Sequence, residues 1–426
     1  MSQTSSSDQS SATGEHKTVK RLREYEATAP LDEDVLSQRA RGVITQEIND
    51  DETRLQLEYQ PDGTAKIRAT QYVGIVTLPG ELTIEIRPKV EGASLLELVQ
   101  YTRGIKAQTI NQPTAMFEGD RFVDALASLF VAELETVLTR GLHKAYRRVE
   151  ASEQFVRGRL AVQRQIRRQG TMPTEFECTY DELTVDTIVN RAVLFATTLL
   201  QQFVSDAELA RSLRRQQQRL RRQVELAHVR PVDLERVELN RLAAHYEDLF
   251  RLTKLVIRNV HVEDLQAADR SSFGLLVNMN SVFEKVVERA VRDAIATRPG
   301  WTMQRQATSN ELVSDGYRPI NIKPDVLVTD SGGTPQLVGD AKWKIDEPER
   351  NRREPSTEDI YQLVAYQVAH DAKGVLFYPA QKRDLRSTYA VKSLEALTLI
   401  AVPVEPADDR TLAETIRESV ADQLPV

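Results

Sequence analysis

One cysteine, Cys178, stands among 426 residues. That excludes an internal disulfide and any cysteine-built zinc site, and leaves Cys178 as a buried or half-buried thiol without special reactivity. The six histidines, His16, His143, His228, His245, His261 and His370, show neither H-E-x-x-H nor another compact ligand spacing, so histidine-based metal chemistry has no support. No apolar run approaches the roughly 20 residues that span a bilayer. The opening MSQTSSSDQSSATGEHKT has no apolar signal core and reads as a polar disordered tail over residues 1–30. A cytoplasmic protein without membrane contact is expected. There is no G-x-x-x-x-G-K-[ST] loop and no G-x-S-x-G elbow, which excludes nucleotide hydrolysis by this chain alone and the serine-hydrolase reading. Lysine is scarce among the 56 basic residues, with 14 lysines against 42 arginines, a compositional bias that says nothing of function.

What is present is size, uneven charge and two kinds of periodicity. A chain of this length is too long for one ordinary core, so two or three domains are expected. The net charge of −7 hides a basic middle. Arginines crowd residues 140–168, and RSLRRQQQRLRR holds Arg211, Arg214, Arg215, Arg219, Arg221 and Arg222. Such a stretch either tracks nucleic-acid phosphates, with Arg211, Arg214 and Arg215 the candidates for DNA binding, or is a solvated face paired with acids on this chain or a partner.

From Arg54 the pattern is that of strands with turns at Pro61-Asp62-Gly63 and Pro79-Gly80, and Leu82, Ile84 and Ile86 alternate with polar residues. This predicts an N-terminal antiparallel β domain over residues 31–118. From Phe122 apolar residues recur at three and four, as in a helix. A basic helical middle is predicted over 119–270, with helices near 182–203, 206–227 and 232–257 and a short strand within 155–162. Beyond it, helix and strand signals alternate, predicting an α/β domain with a mixed sheet over 271–426. The whole is a multidomain α+β chain.

The chemistry lies in that last part. Strands Pro324–Val328 and Gln336–Lys342 flank Asp330-Ser331-Gly332-Gly333-Thr334-Pro335, a run suited to a reversal. A turn centred between Gly332 and Gly333 sets Asp325 opposite Asp340, and alternation puts Lys342 on the same face. Two carboxylates meeting across a ladder repel unless a cation sits between them. Hard oxygen ligands for Mg²⁺, with Mn²⁺ the alternative, and an amine near the attacking water are what metal-assisted phosphodiester hydrolysis requires. Glu284, at the edge of an apolar helical stripe, is the expected third carboxylate, preferred to Glu288. After the hairpin, Ser356 and Asp359 fit a capping-box variant, and Gln362 and Tyr366 share a helix face from which they could contact substrate or the metal-bound water. Trp301 and Trp343 read as packing residues.

These motifs resemble a known family. VFEKVVE, KPDVLV, LVGDAKWK and DIYQLVAY, in that order, resemble PD-(D/E)xK nucleases, and more narrowly McrC, the nuclease subunit of McrBC-type 5-methylcytosine-dependent restriction systems. YVGIVTLPGELTIEIRPKV, FVRGRLAV and DELTVDTIVNRAV look like the upstream parts of the same family, so the resemblance covers about residues 50–380. It implies that Asp325, Asp340 and Lys342 form the metal-binding and catalytic motif, that Glu284 is the helical acid, and that Gln362 and Tyr366 belong to the following helix motif. Gly339 replaces the usual aliphatic residue before the second aspartate, a departure that loosens strand packing. The implied partners are an McrB-like AAA+ GTPase ring, whose GTP hydrolysis the N-terminal region stimulates, and double-stranded, methylated DNA. Arg87 and Lys89 are guesses for the reach toward the ring, against a plain exposed strand face. Pairing of two copies through the nuclease domain is left open. A stand-alone repair nuclease of the same fold and a non-catalytic scaffold of an AAA+ ring are the alternatives.

Overall fold

The computed structural model describes residues 18–50, 52–80, 82–90, 95–103, 122–169, 174–239, 241–262, 273–305, 311–313, 320–344, 355–380, 388–392, 394–407 and 410–425. The expected domain boundaries at 118/119 and 270/271, and His16, lie outside them. The first elements are β1 (Thr18–Arg23), α1 (Gln38–Val43), β2 (Leu55–Tyr59), β3 (Ala65–Ala69), β4 (Tyr72–Leu78), β5 (Leu82–Arg87), α2 (Leu95–Arg103) and α3 (Phe122–Arg140). Next come β6 (Ala145–Glu153), β7 (Arg159–Leu160), α4 (Val162–Gln169), β8 (Phe176–Thr184), α5 (Ile188–Phe203), α6 (Ala207–Arg221), α7 (Pro231–Glu235) and α8 (Glu247–Asn259). The last stretch holds β9 (Val260–Val262), β10 (Phe273–Asn278), α9 (Met279–Ile295), β11 (Thr302–Arg305), β12 (Glu311–Val313), β13 (Ile320–Asn321), β14 (Val326–Thr329) and β15 (Pro335–Ala341). It ends with α10 (Thr357–His370), β16 (Lys373–Pro379), β17 (Thr388–Tyr389), β18 (Leu397–Val402) and α11 (Leu412–Gln423). None of the described helices is long and apolar enough to cross a membrane.

The chain divides into two units, Met1–Lys89 with His261–Met279, and Val90–Val260 with Asn280–Val426. The first is built on a five-stranded sheet in the order β1-β5-β4-β10-β9. Its core sets Leu36, Ala40, Val43 and Ile44 against Leu78, Leu82, Ile84 and Ile86, the alternating strand residues that the sequence marks as buried. Three expectations are corrected here. Residues 18–23, expected in the tail, form β1. The sheet is not wholly antiparallel, because β1 runs parallel to β5 from Thr18↔Leu82 to Arg23↔Arg87. Residues 273–278, expected in the C-terminal domain, pair with β4 from Phe273↔Thr77 to Asn278↔Tyr72. That pairing needs Gly74, whose φ of 142° is unfavourable for L side chains and where an added Cβ would lie 2.0 Å from the Leu275 carbonyl oxygen.

In the second unit α3, α5, α6 and α8 pack together. Helix α5 is buried along most of its length, as expected of a helix whose apolar residues surround it. The middle is not all helix: β6, β8 and β7 form a three-stranded sheet, and β8 occupies part of the stretch expected to begin a helix at 182. Thr187, whose side chain accepts from the Asn190 N–H, starts α5 instead.

The six-stranded mixed sheet runs β11-β14-β15-β16-β18-β17. Strands β14 and β15 are antiparallel, while β15, β16 and β18 run parallel to one another, with α10 as the crossover between β15 and β16, packed on both. The core beneath α10 joins Val338, Leu363, Tyr366, Leu376 and Tyr378. Ser356 caps α10, its hydroxyl accepting from the Asp359 N–H at 3.2 Å.

Candidate active site

The hairpin of β14 and β15 has the expected register at its inner end. Val326 pairs with Gly339 and Leu327 with Val338, which sets Asp325 across from Asp340. The register shifts at the outer end, where Thr329 pairs with Pro335. There the Asp330 carboxylate accepts from the Gly332 and Thr334 N–H groups at 2.8 and 3.0 Å, and the shift is absorbed before it reaches the aspartates.

Asp340 is 3% exposed. Its Oδ2 touches the Lys342 ammonium as an ion pair, and the Asp325 carboxyl lies within hydrogen-bonding reach of its own. Asp325 is fixed by the Ala341 N–H, which donates to its Oδ2 at 2.8 Å. Burial, and then the charge of Asp340, pushes the Asp325 carboxyl up to about 7. Burial also raises Asp340. Two like charges at the usual cross-strand spacing of about 5 Å repel by roughly 3 kcal/mol at an effective dielectric near 20, and one ammonium, on Lys342, stands against them. The pair therefore favours either a retained proton or a bound cation.

Lys342 is shared between this pair and α10. Its Nζ donates to Gln362 Oε1 at 2.7 Å, Gln362 Nε2 donates to the Tyr366 hydroxyl at 2.8 Å, and that hydroxyl donates to the Lys323 carbonyl at 3.3 Å. Gln362 thus holds the amine. Tyr366 is 5% exposed and is the inner end of a chain of hydrogen bonds.

Glu284 lies on α9 and is half-buried. Burial first, and Asp340 second, raise its carboxyl, so it shares the field of the pair. Among the described residues no group of three or more His, Cys, Asp and Glu stands placed to hold a metal ion. The trio of Asp325, Asp340 and Glu284 is therefore not assembled as a cage; the structure brings two carboxylates together with a third nearby. Glu288 pairs with Arg292 at 2.7 Å and Arg305 at 3.6 Å, consistent with the preference for Glu284.

Three further residues join the site that the sequence pattern does not single out for chemistry. Lys344 Nζ donates to both oxygens of Asp359 at 2.8 and 2.9 Å, and the Tyr378 hydroxyl donates to the same carboxylate at 2.9 Å. Burial alone would raise Asp359, but hydrogen bonds from Lys344, Ser356 and Tyr378 hold it below the usual carboxylate range. The only sequence signal for Asp359 is its position in the first turn of α10. Gly339 also changes meaning: an added Cβ would lie 2.8 Å from the Phe377 ring. The glycine makes room for Phe377, so strand packing is filled rather than loosened.

Elsewhere, Arg87 is paired with Glu85 at 3.0 Å and the Lys89 ammonium lies 4.5 Å from the Tyr25 ring centre, as structural contacts do. Trp343 is buried against Phe283, ring centres 5.4 Å apart, and Cys178 is buried. Arg211, Arg214 and Arg215 are exposed on α6.

The family described as McrBC 5-methylcytosine restriction system component matches residues 67–379. A chain of a refined half-complex from a tetradecameric assembly of Thermococcus gammatolerans McrB AAA+ hexamers with bound McrC is similar in structure at 19% identity and a TM-score of 0.61, covering 95% of this chain and 100% of that one. A chain of the cryo-EM structure of the Thermococcus gammatolerans McrBC complex is 21% identical over 65% of this chain and 88% of that one, with a TM-score of 0.44. No curated protein matches.

Proposed function

The chain belongs to the family of McrBC 5-methylcytosine restriction system components, and from that premise we propose that it is the McrC-type subunit, a Mg²⁺-dependent DNA endonuclease of the PD-(D/E)xK kind that works with an AAA+ ring. The observation that carries the catalytic half is the buried pair Asp325 and Asp340, with Asp325 raised to about 7 and Asp340 set against the Lys342 ammonium. The partner half rests on the assembly of AAA+ hexamers with bound McrC, whose matching chain is covered in full. Since this sequence has no nucleotide-binding G-x-x-x-x-G-K-[ST] loop, it corresponds to the bound subunit and leaves the motor to its partner.

The donor set fits a hard dication: two carboxylates whose repulsion such an ion would cancel, and room in the coordination for water or phosphate oxygens. Asp325 and Asp340 would hold it, with Glu284 in reach of their field. The ion would polarise the scissile phosphate and supply an activated water. Lys342 contributes a positive charge beside the developing negative charge on phosphate and a donor that orients the attacking water. Gln362, anchored by Tyr366, fixes the Lys342 amine in that position. Double-stranded DNA carrying modified cytosine is the proposed substrate, in defence against foreign DNA.

The test is cleavage of methylated duplex DNA with Mg²⁺ and the AAA+ partner. Asp340→Ala should lower cleavage by about a thousandfold, on the scale of losing a main source of transition-state charge stabilisation, while ring binding and GTPase stimulation persist. Cleavage that survives this substitution would refute the catalytic assignment. A wild-type protein that stimulates the ring and never cleaves would make it a scaffold.

A further inference from the structure

Helix α6 carries a basic ridge that pairs with no acid among the described residues. Its inner face is tied down: Leu213 and Leu220 are buried, Gln216 Nε2 donates to Glu135 Oε1 at 3.1 Å and Gln217 Nε2 to Thr198 Oγ1 at 2.8 Å. On the same helix Arg219 reaches the Leu138 carbonyl at 3.4 Å. Arg211, Arg214, Arg215, Arg221 and Arg222 point to solvent and form no ion pair with a described acid.

Much of the rest of the basic middle behaves differently, although Arg140, Arg148, Arg159 and Arg167 are likewise exposed. Arg147 and Arg157 face Glu182, Arg164 and Arg168 meet Glu177, Arg191 bridges Asp186 and Glu225, and Arg251 pairs with Glu247 and Asp248. In a chain of net charge −7, with acids beside many other arginines of the region, five guanidinium groups on one helix and its C-cap that pair with no described acid are conspicuous. Arg221 and Arg222 at the C-terminal end gain from the helix dipole. Arg211, Arg214 and Arg215 do not, and at i,i+3 and i,i+4 spacing they repel one another. Guanidinium forks match phosphate oxygens in pairs, and the ridge has no aromatic residue on which an unpaired base could stack. That combination suits a duplex backbone rather than a single strand.

We infer that the exposed face of α6 is a duplex-binding surface that contacts DNA phosphates without reading sequence. This surface is separate from the Asp325–Asp340 pair, and it is tested without cleavage. Binding of a short labelled DNA duplex is followed by fluorescence anisotropy in EDTA, from about 50 to 300 mM KCl, a range over which binding to phosphates is strongly salt-dependent. In R211Q/R214Q/R215Q/R221Q/R222Q the slope of log affinity against log salt should become shallower by about 3 to 5, near 0.9 for each phosphate no longer neutralised, with at least about tenfold weaker binding at low salt. Substituting lysine at the same five positions should keep the slope within about one of wild type, because point charges suffice for counterion release. The smaller variant R211Q/R214Q/R215Q, with its melting curve checked by circular dichroism, should give an intermediate slope and guards against a folding defect in the larger one. A glutamine variant whose slope stays within about one of wild type overturns the inference. So does one that loses the AAA+ ring while keeping DNA, since the ridge then faces protein.

Discussion

Two buried aspartates beside α10 meet opposite fates. Asp340 on β15 and Asp359 on the helix are each 3% exposed. Asp359 receives Lys344 at both oxygens and the Tyr378 hydroxyl, and stays a stable anion below the usual range. Asp340 faces another carboxylate and is raised, with one lysine for compensation. Burial is common to both, so the partners decide the sign. A satisfied carboxylate fastens a helix to a sheet. An unsatisfied pair is a place where the fold gives up stability, and such places are where cations bind and chemistry is done.

The largest expected effect tests that loss of stability through pH. Asp325 titrates near 7 in the folded chain and near 4 when unfolded. The folded state holds its proton more tightly, so the associated stability is complete below about pH 4 and is lost as pH rises through 7, by up to about 4 kcal/mol. Denaturant unfolding in EDTA at several pH values should show this decline, and Asp325→Asn should flatten it. An unchanged pH dependence in that variant would mean that Asp325 is not the group that holds the proton.

Next in size is the contrasting site. Asp359→Ala strips Lys344 and Tyr378 of their acceptor and should cost about 2–3 kcal/mol, read as a lower denaturant midpoint at every pH from 5 to 8, with no flattening of the pH dependence.

The strand pair that carries Asp340 comes third. Gly339→Ala drives a methyl into the Phe377 ring and should cost about 1–3 kcal/mol as an overpacked core does. Adding Phe377→Leu should recover part of the loss, and no recovery would point away from that contact. Smallest is Gln362→Ala. Loss of one bond to the Lys342 amine should lower kcat by about tenfold, near 1.4 kcal/mol, while stability and duplex binding stay unchanged.

The part of the site written in local pattern was legible in the sequence. Alternation and the Gly332-Gly333 turn placed Asp325, Asp340 and Lys342 on one face, because the turn of a short hairpin fixes which residues stand opposite. The limits of α10 follow from its cap at Ser356. What escaped depends on partners far apart in sequence. β10 completes a sheet begun about 200 residues earlier through the space at Gly74, and β1 enters it parallel to β5. Asp359 looks like an ordinary first-turn acid until β16 brings Tyr378 to it, and Gly339 looks like a loss of packing until Phe377 fills the gap. Tyr366 shares the expected face with Gln362, and its ring also joins the core of Leu363 and Leu376.

The proposed role of the poised pair is tested most directly by isothermal titration of the folded chain with Mg²⁺ at pH 7, in buffers of different ionisation enthalpy. Binding should release protons, since burial and like charge raise both carboxyls and they must ionise to take the metal, and both binding and release should vanish in Asp340→Asn and persist in Gln362→Ala. Mg²⁺ binding that is unchanged in Asp340→Asn, or that moves no proton in the wild type, would contradict the account.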